Sequence, residues 1–305
     1  MNAAVTADVT AAGEPVPTLE RLNPQAVHLP GGVQLHHATA GAGAPLVFIH
    51  GAMGDWRAWA PQWDAFTARY RCTSYSRRYS HPNRNDMPSP DHSALIEADD
   101  LAALLDAMGT PRAILVGSSY GAFTALALAV AQPQRVAAVV AVEPAMLCYA
   151  DFSEAGRAER ARFRAQTIEP ANAAFRRGED ALAAQLMTGG INGAASPVNQ
   201  GPAYERRLQN VRAMRMLALS SDEFPLLPPQ ALAALPMPVL LVSGQRTPAI
   251  HAHTFANVAA AMPQAEVQRV ADAGHGVARD QPAVFNALAL DFLARHRAAI
   301  EARLS

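Results

Sequence analysis

The chain has 305 residues, half of them hydrophobic, and a formal net charge of -1, so it can bury one large core or a core with a sizeable insertion. The near-neutral charge leaves no basic excess for nucleic acid or anionic membranes, which disfavours both as partners, and favours a small-molecule substrate. All 25 basic residues are arginine, which excludes lysine nucleophiles, Schiff-base chemistry and a phosphate-binding P-loop.

The first 20 residues combine small and polar side chains, which predicts a disordered extension. They lack a basic region followed by an apolar run, and no apolar stretch of the sequence reaches membrane-spanning length, so we expect a cytoplasmic protein without a membrane partner. Cys72 and Cys148 are too few for a disulfide framework and lack metal-ligand spacing, and we interpret both as buried thiols. A homo-oligomer is left open by the sequence.

Beyond the extension, short strand-like runs alternate with helical segments, which is typical of a parallel α/β sheet. The first half of the chain predicts strands at residues 33–38, 45–49, 71–75, 113–116 and 136–142, with helices at 56–69, 92–108 and 120–131. The last quarter predicts strands at 239–243 and 265–270, with helices at 251–261 and 282–297.

Residues 145–232 interrupt this alternation. The segment is helical in pattern, rich in arginine and alanine, and broken at Gly189-Gly190 and Ser196-Pro197. Insertions of this kind usually cover active sites. We therefore predict a core of residues 21–144 and 233–305, with residues 145–232 as a helical cap or lid.

The segment at residues 117–121, with the sequence GSSYG, follows a predicted strand and opens a predicted helix. This G-x-S-x-G pattern predicts a nucleophile on a tight, strained turn, where Gly117 and Gly121 supply the space that the turn needs. The helix also directs its free N–H groups towards the place where an oxyanion would form. Counting from the two glycines centres the motif on Ser119 rather than on Ser118.

With this motif the chain resembles the α/β-hydrolase superfamily, over about residues 25–297. A second match is the HGAMG sequence at residues 50–54, which is similar to the HGxxG segment of that family. The resemblance implies an α/β-hydrolase fold with a mostly parallel eight-stranded sheet, flanking helices and a helical lid. It also implies an oxyanion hole made by the backbone N–H groups of Ala52 and Tyr120, a structural role for His50, and no need for a metal or cofactor.

The resemblance places the base in a loop after the last strand, where His275 stands between two glycines. Most relatives carry an aspartate after strand seven, but this chain has Thr247 there, and a threonine cannot stabilise an imidazolium as a carboxylate does. Glu143, after the predicted strand at 136–142, is the predicted acid, at the position used by family members such as haloalkane dehalogenases. Strand six lies beside the nucleophile strand in this fold, so both strand ends can reach one histidine. Asp272 is nearer to His275 in sequence, and we interpret it as a turn former.

Two further groups of residues are candidates for supporting roles. Arg77 and Arg78 lie where relatives often carry a D-x-R-G loop, and we interpret them as bracing that loop. Methionines and aromatic residues at helical spacing are more often core than pocket, but some of them are candidates for substrate binding: Met53, Met146, Phe152, Met187 and Met214.

Together these residues predict an esterase-like hydrolase with a Ser-His-Glu triad, which cleaves a carboxylic ester of a small, largely apolar substrate through an acyl-enzyme. One alternative is hydrolysis of a carbon–carbon bond in a β-diketone or a dienoate by the same triad. A second alternative is a receptor-like protein that keeps the triad and turns over slowly. A serine nucleophile disfavours dehalogenase and epoxide-hydrolase chemistry.

Overall fold

The computed structural model describes residues 18–305, so the predicted disordered extension lies outside the described residues up to residue 17. Its last part belongs to the fold. Leu19 begins a short 3-10 turn, Leu19–Arg21, and its side chain is buried in a cluster with Trp63 and Phe66. The described core therefore begins two residues before the predicted boundary at residue 21.

Eight strands form one sheet, and their bounds are β1 Gln25–His28, β2 Gln34–Ala40, β3 Pro45–Ile49, β4 Arg71–Tyr75, β5 Ala113–Ser118, β6 Val136–Val142, β7 Val239–Gly244 and β8 Glu266–Val270. The strand order is β1-β2-β4-β3-β5-β6-β7-β8. β2 is antiparallel to β1 and β4, and all the other neighbours are parallel. The mostly parallel eight-stranded sheet that the family resemblance implies is confirmed.

Strand β1 has no counterpart among the strands that the sequence predicts. Three of its four residues are exposed, so it lacks the apolar pattern by which the other strands are recognised. Within residues 18–305 it is an edge strand, and it pairs with β2, as between Val27 and Leu35.

The central strands carry apolar side chains on both faces, because helices cover both sides of the sheet. Val47 and Leu115 face one buried cluster, whereas Phe48 and Val116 face the other. All seven residues of β6 are buried. Burial of each large apolar side chain stabilises the fold by roughly 1.5–3 kcal/mol, so the sheet is a rigid base for the loops at its carboxyl edge.

Thirteen helices accompany the sheet in the described part of the chain. Before β6 lie α1 Ala60–Thr67, α2 Ala94–Ala107 and α3 Tyr120–Ala131. Between β6 and β7 lie α4 Glu154–Phe163, α5 Glu169–Arg176, α6 Asp180–Asn192, α7 Gly201–Gln209, α8 Val211–Ala218 and α9 Pro229–Ala233. After β7 lie α10 Ala249–Ala260, α11 Val277–Asp280, α12 Pro282–Arg295 and α13 Arg297–Leu304.

The segment between β6 and β7 has an apolar cluster of its own. Phe163, Phe175 and Met214 are buried in this cluster, which also includes Met53 and Ile250 from the sheet-bearing part of the chain. The segment therefore packs onto the loops that follow β3 and β7.

The structure bears on membrane spans, metal ligands and thiols. Within residues 18–305, no helix combines the length and apolar character needed to cross a membrane. The same residues contain no group of three or more histidine, cysteine or acidic side chains placed to hold a metal ion. Cys72 is buried as predicted, but Cys148 is only partly buried, and its Sγ–H donates to the carbonyl oxygen of Phe224 at 2.8 Å.

The close contact between α3 and strand β3 predicts a large effect of one methyl group. A Cβ atom at Gly121 would lie 2.1 Å from the backbone oxygen of Ile49, so Gly121→Ala has to displace a central strand. We expect a loss of about 3 kcal/mol of stability, measured as a lower Tm in thermal unfolding. The control is Gly189→Ala, because no atom lies within 4 Å of the added Cβ in α6; equal Tm values for the two variants would contradict the prediction.

Candidate active site

Ser119 lies on the turn between β5 and α3, in a backbone conformation that few non-glycine residues adopt. Its φ is 54° and its ψ is -119°, which costs on the order of 1–3 kcal/mol. Strand β6 and helix α3 hold the turn: the Ser119 N–H donates to Val142 at 2.7 Å, and the Ser119 carbonyl oxygen accepts from Phe123 at 3.0 Å. The strain exposes the serine side chain at the carboxyl edge of the sheet.

A chain of two hydrogen bonds joins the three residues that the sequence predicts as a triad. His275 Nε2 lies 2.9 Å from Ser119 Oγ, and His275 Nδ1 lies 2.6 Å from Glu143 Oε2. A carboxylate can only accept, so Nδ1–H donates to Glu143 and Nε2 is left to accept the serine proton. His275 and Glu143 are buried, which strengthens both bonds because little water competes with them.

Three donors fix the carboxylate of Glu143, which follows β6 with a φ of 42°. The Gly244 N–H donates to Oε1 at 2.8 Å, and the Thr247 hydroxyl donates to Oε2 at 2.6 Å. The third donor is His275. Thr247 is thus a hydrogen-bond partner of the carboxylate that the sequence predicts as the acid.

Asp272 and Ser118 are the two alternatives to the predicted acid and nucleophile. Asp272 is exposed, and its carboxylate pairs with Arg246 at 3.6 Å rather than with His275. Ser118 is the last residue of β5 and lines a cavity, but the serine that contacts His275 is Ser119. The histidine therefore contacts one serine and one carboxylate.

The loop at residues 50–54 lies against the nucleophile. A Cβ atom at Gly51 would be 3.3 Å from the Cβ of Ser119. Ala52 and Tyr120, the two predicted oxyanion donors, line one cavity together with Ser119. Because Tyr120 is the first residue of α3, its N–H has no acceptor within the helix.

A buried polar network supports this loop from below. His50 donates from Nδ1–H to the Gly51 carbonyl oxygen at 2.8 Å and accepts the Arg77 N–H at Nε2 at 3.0 Å. Burial, with Arg77 beside it, lowers the pKa of His50 to about 4, so the ring is neutral. The Arg77 guanidinium pairs with Glu97. Burial alone would raise the pKa of Glu97, but the contacts with Arg77 and His92 outweigh burial and lower this pKa to about 2.

Arg78, which follows Arg77 and is more exposed, also pairs with an acidic residue. Arg78 donates to both carboxylate oxygens of Asp100, at 2.7 and 2.5 Å. Asp100 and Glu97 both belong to α2, so the adjacent arginines tie the loop after β4 to one helix.

His251 is a residue of the site that sequence reasoning passed over. It lies in α10, and its ring stacks on His275 with centroids 3.8 Å apart and an interplanar angle of 18°. Its Nε2–H donates to the Ile191 carbonyl oxygen at 3.1 Å. Burial, together with His275, lowers the pKa of His251 well below its usual value, so a neutral ring connects the base to α6. No motif marks this histidine, because only the fold brings α10 against the loop of His275.

Two cavities meet at Ser119. The larger has a volume of about 300 Å³, and its wall includes His275 and the predicted pocket residue Met53. The smaller has a volume of about 40 Å³, and its wall includes the predicted pocket residue Met187 and His251.

The other three predicted pocket residues line neither cavity. Met146 is fully buried in the cluster beneath the sheet edge, and Met214 in the cluster of the helical segment. Phe152 is 54% exposed and stacks on Tyr149, with ring centroids 4.9 Å apart. The structure does not support the pocket assignment for these three: two serve packing, and Phe152, the last residue of the 3-10 turn Leu147–Phe152, lies on the surface.

Comparisons with known proteins identify the family and the fold. The model of the "Alpha/beta hydrolase family" matches residues 46–288. The "Putative carbamate hydrolase RutD" of Caulobacter sp. (strain K31) is 31% identical over 109 residues, 36% of this chain and 40% of that protein. The chain thus matches about two fifths of the length of such curated relatives. The mouse "sn-1-specific diacylglycerol lipase ABHD11" is 28% identical over 257 residues, 82% of this chain and 80% of that protein.

A solved structure supports the fold over nearly the whole length. The carboxylesterase CesB (YbfK) from Bacillus subtilis superposes with a TM-score of 0.67 at 20% identity, covering 90% of this chain and 93% of that one. The family model extends from β3 into α12 and includes the turn that carries Ser119. The chain belongs to the alpha/beta hydrolase family.

Proposed function

We propose that the protein is a serine hydrolase that cleaves a carboxylic ester through an acyl-enzyme, with Ser119 as nucleophile, His275 as base and Glu143 as acid. The hydrogen-bond chain that joins these three side chains, at 2.9 and 2.6 Å, carries the proposal. Esterases, lipases and carbamate hydrolases among the relatives support hydrolysis of an ester-type bond.

In the first half of the reaction, Ser119 Oγ attacks the ester carbonyl carbon while its proton passes to His275 Nε2. Glu143 stabilises the resulting imidazolium through Nδ1–H. The tetrahedral oxyanion accepts hydrogen bonds from the N–H groups of Ala52 and Tyr120, each worth about 3 kcal/mol. His275 then gives its proton to the leaving oxygen as the carbon–oxygen bond breaks. Water enters by the same route and releases the carboxylic acid from Ser119.

We assign the acyl group to the smaller cavity, because its wall is apolar and it holds both proposed oxyanion donors. Its volume of about 40 Å³ is space for roughly three water-sized groups of about 10–15 Å³ each. This size favours short acyl chains. Phe163, Met187 and Leu217 contribute apolar wall to this cavity.

Residues 145–232 act as a cap in this proposal. Each cavity that contains Ser119 has one wall from the sheet-bearing core and another from this segment, with Ile191 present in both. A cap that excludes water strengthens the hydrogen bonds to the oxyanion and protects the acyl-enzyme. The bond from His251 to Ile191 ties the cap to the base.

The first prediction for this mechanism concerns the nucleophile. Ser119→Ala should lower kcat for para-nitrophenyl acetate by at least about 10⁴-fold, since only the oxyanion donors and binding remain. It should also abolish labelling by a fluorophosphonate, read by mass spectrometry. Ser118→Ala is the matched control, expected within about threefold of the parent. A parent enzyme that neither cleaves the ester nor takes up the label would support the receptor-like alternative.

The second prediction concerns the acid. Glu143→Gln keeps the shape of the side chain but loses the charge, so kcat should fall by roughly 10³–10⁴-fold. Thr247→Ala removes one of three donors to the carboxylate and should cost roughly tenfold. Asp272→Asn is the control, because Asp272 is exposed and pairs with Arg246. Steady-state kinetics on the three variants decide the assignment: a damaged Asp272→Asn enzyme beside an active Glu143→Gln enzyme would overturn it.

The third prediction concerns acyl-chain length. Met187→Ala should widen the smaller cavity, so the chain length with the highest kcat/KM should move from acetate or butanoate towards hexanoate in a series of para-nitrophenyl esters. Met214→Ala serves as control, since it removes an equal volume from the same helical segment without lining a cavity. An unchanged chain-length profile in Met187→Ala would place the acyl group elsewhere.

A further inference from the structure

The larger cavity carries an excess of positive charge beside Ser119. Four arginines line it, whereas the acid among its described lining residues is Asp55: the arginines are Arg57, Arg206, Arg207 and Arg279. The Asp55 carboxylate is already engaged, since it accepts from Arg57 at 2.6 Å and from Asn210 at 2.9 Å. The acid in this wall therefore cannot neutralise the other cations.

Among these arginines, Arg207 in α7 is the candidate for binding an anion. Within residues 18–305, its guanidinium makes no hydrogen bond or ion pair with the protein. Burial and the charge of Arg279 lower its pKa to about 10, so it is still a cation at neutral pH, in surroundings that disfavour one. Arg279 itself pairs with Asp280 at 2.9 Å. A partly buried cation of this kind is strongly stabilised by a bound anion.

The position of the cavity indicates which part of a substrate meets this cation. His275, which has to protonate the leaving oxygen, lines the larger cavity. The oxyanion donor Tyr120 and the apolar acyl wall line the smaller one. The leaving group of a substrate bonded to Ser119 therefore lies in the cavity that Arg207 lines.

We propose that the substrate is an ester whose alcohol part bears a carboxylate, and that Arg207 binds this carboxylate. The inference rests on the proposed function and adds the substrate class to it. A guanidinium presents two parallel N–H donors to a carboxylate. One uncompensated cation matches a monoanion, whereas a phosphate monoester would bring a charge near -2. Water added across the ester bond gives a short carboxylic acid and a hydroxycarboxylate.

Four phenyl esters test the preference in the parent enzyme. Para-acetoxybenzoate carries the charge on the leaving group, para-acetoxybenzamide is its neutral counterpart, and monophenyl succinate carries the charge on the acyl side. We expect kcat/KM for the benzoate to exceed that for the benzamide by about tenfold or more, because only the benzoate offers Arg207 a carboxylate. Monophenyl succinate should be cleaved more slowly than phenyl butanoate.

Variants of Arg207 connect this preference to one residue. In Arg207→Gln the ratio of kcat/KM for benzoate over benzamide should fall to about one. Arg207→Lys should restore part of the ratio, because it keeps the charge without the two parallel donors. Arg176→Gln is the control, since Arg176 is exposed at the end of α5 and lines neither cavity; its ratio should match the parent.

A binding measurement separates this inference from the proposed function. Para-hydroxybenzoate should raise the Tm of Ser119→Ala, para-hydroxybenzamide should not, and the rise should vanish when Arg207→Gln is added. A Ser119→Ala protein that keeps its esterase activity would refute the proposed function, and these Tm values would still decide the anion site. A parent ratio near one, an equal loss for both esters in Arg207→Gln, or a Tm rise independent of Arg207 would overturn the inference.

Discussion

The hydrogen bond between Glu143 and His275, at 2.6 Å, is the contact on which the rest of the candidate site depends. It sets the ring orientation that brings Nε2 to Ser119. The contact is possible because β5, β6 and β7 are consecutive in the sheet, with spacings of about 4.8 Å. Ser119 follows β5, Glu143 follows β6, and Gly244 ends β7 and donates to Glu143. Three neighbouring strand ends thus position one imidazole.

The same strand order explains how the site tolerates backbone strain. Ser119 and Glu143 both have positive φ values, 54° and 42°, at the ends of adjacent strands. Each is held by its neighbour: the Ser119 N–H donates to Val142 at 2.7 Å, and the Glu143 N–H donates to Val242 at 2.9 Å. Strained residues persist only where the surroundings over-determine them. Here the surroundings are a sheet buried on both faces, so the cost is met by the packing of the whole core.

Local sequence patterns predicted the elements whose structure depends on neighbouring residues in the chain. Apolar runs gave the parallel strands, and the glycines around Ser119 gave the turn. Contacts made only by the fold were not predictable: the Thr247 hydroxyl meets Glu143 because β6 and β7 are neighbours, and His251 stacks on His275 because α10 packs against a distant loop. Three of the five predicted pocket residues line neither cavity for a related reason, since the sequence identifies Phe152 as apolar without indicating which way its side chain faces.

In the proposed reaction His275 becomes an imidazolium, and the charges around it affect the stability of this cation. His251 lies 3.8 Å away, but its lowered pKa keeps it neutral, so it adds no repulsion. Arg207, whose charge is not paired within residues 18–305, would repel an imidazolium in the wall of the same cavity, since charges interact over roughly 8 Å at physiological ionic strength. A carboxylate bound to Arg207 would cancel part of this repulsion at the step in which His275 becomes charged. An anionic leaving group would therefore favour the transition state as well as binding, and a neutral ester would leave that stabilisation to Glu143 alone.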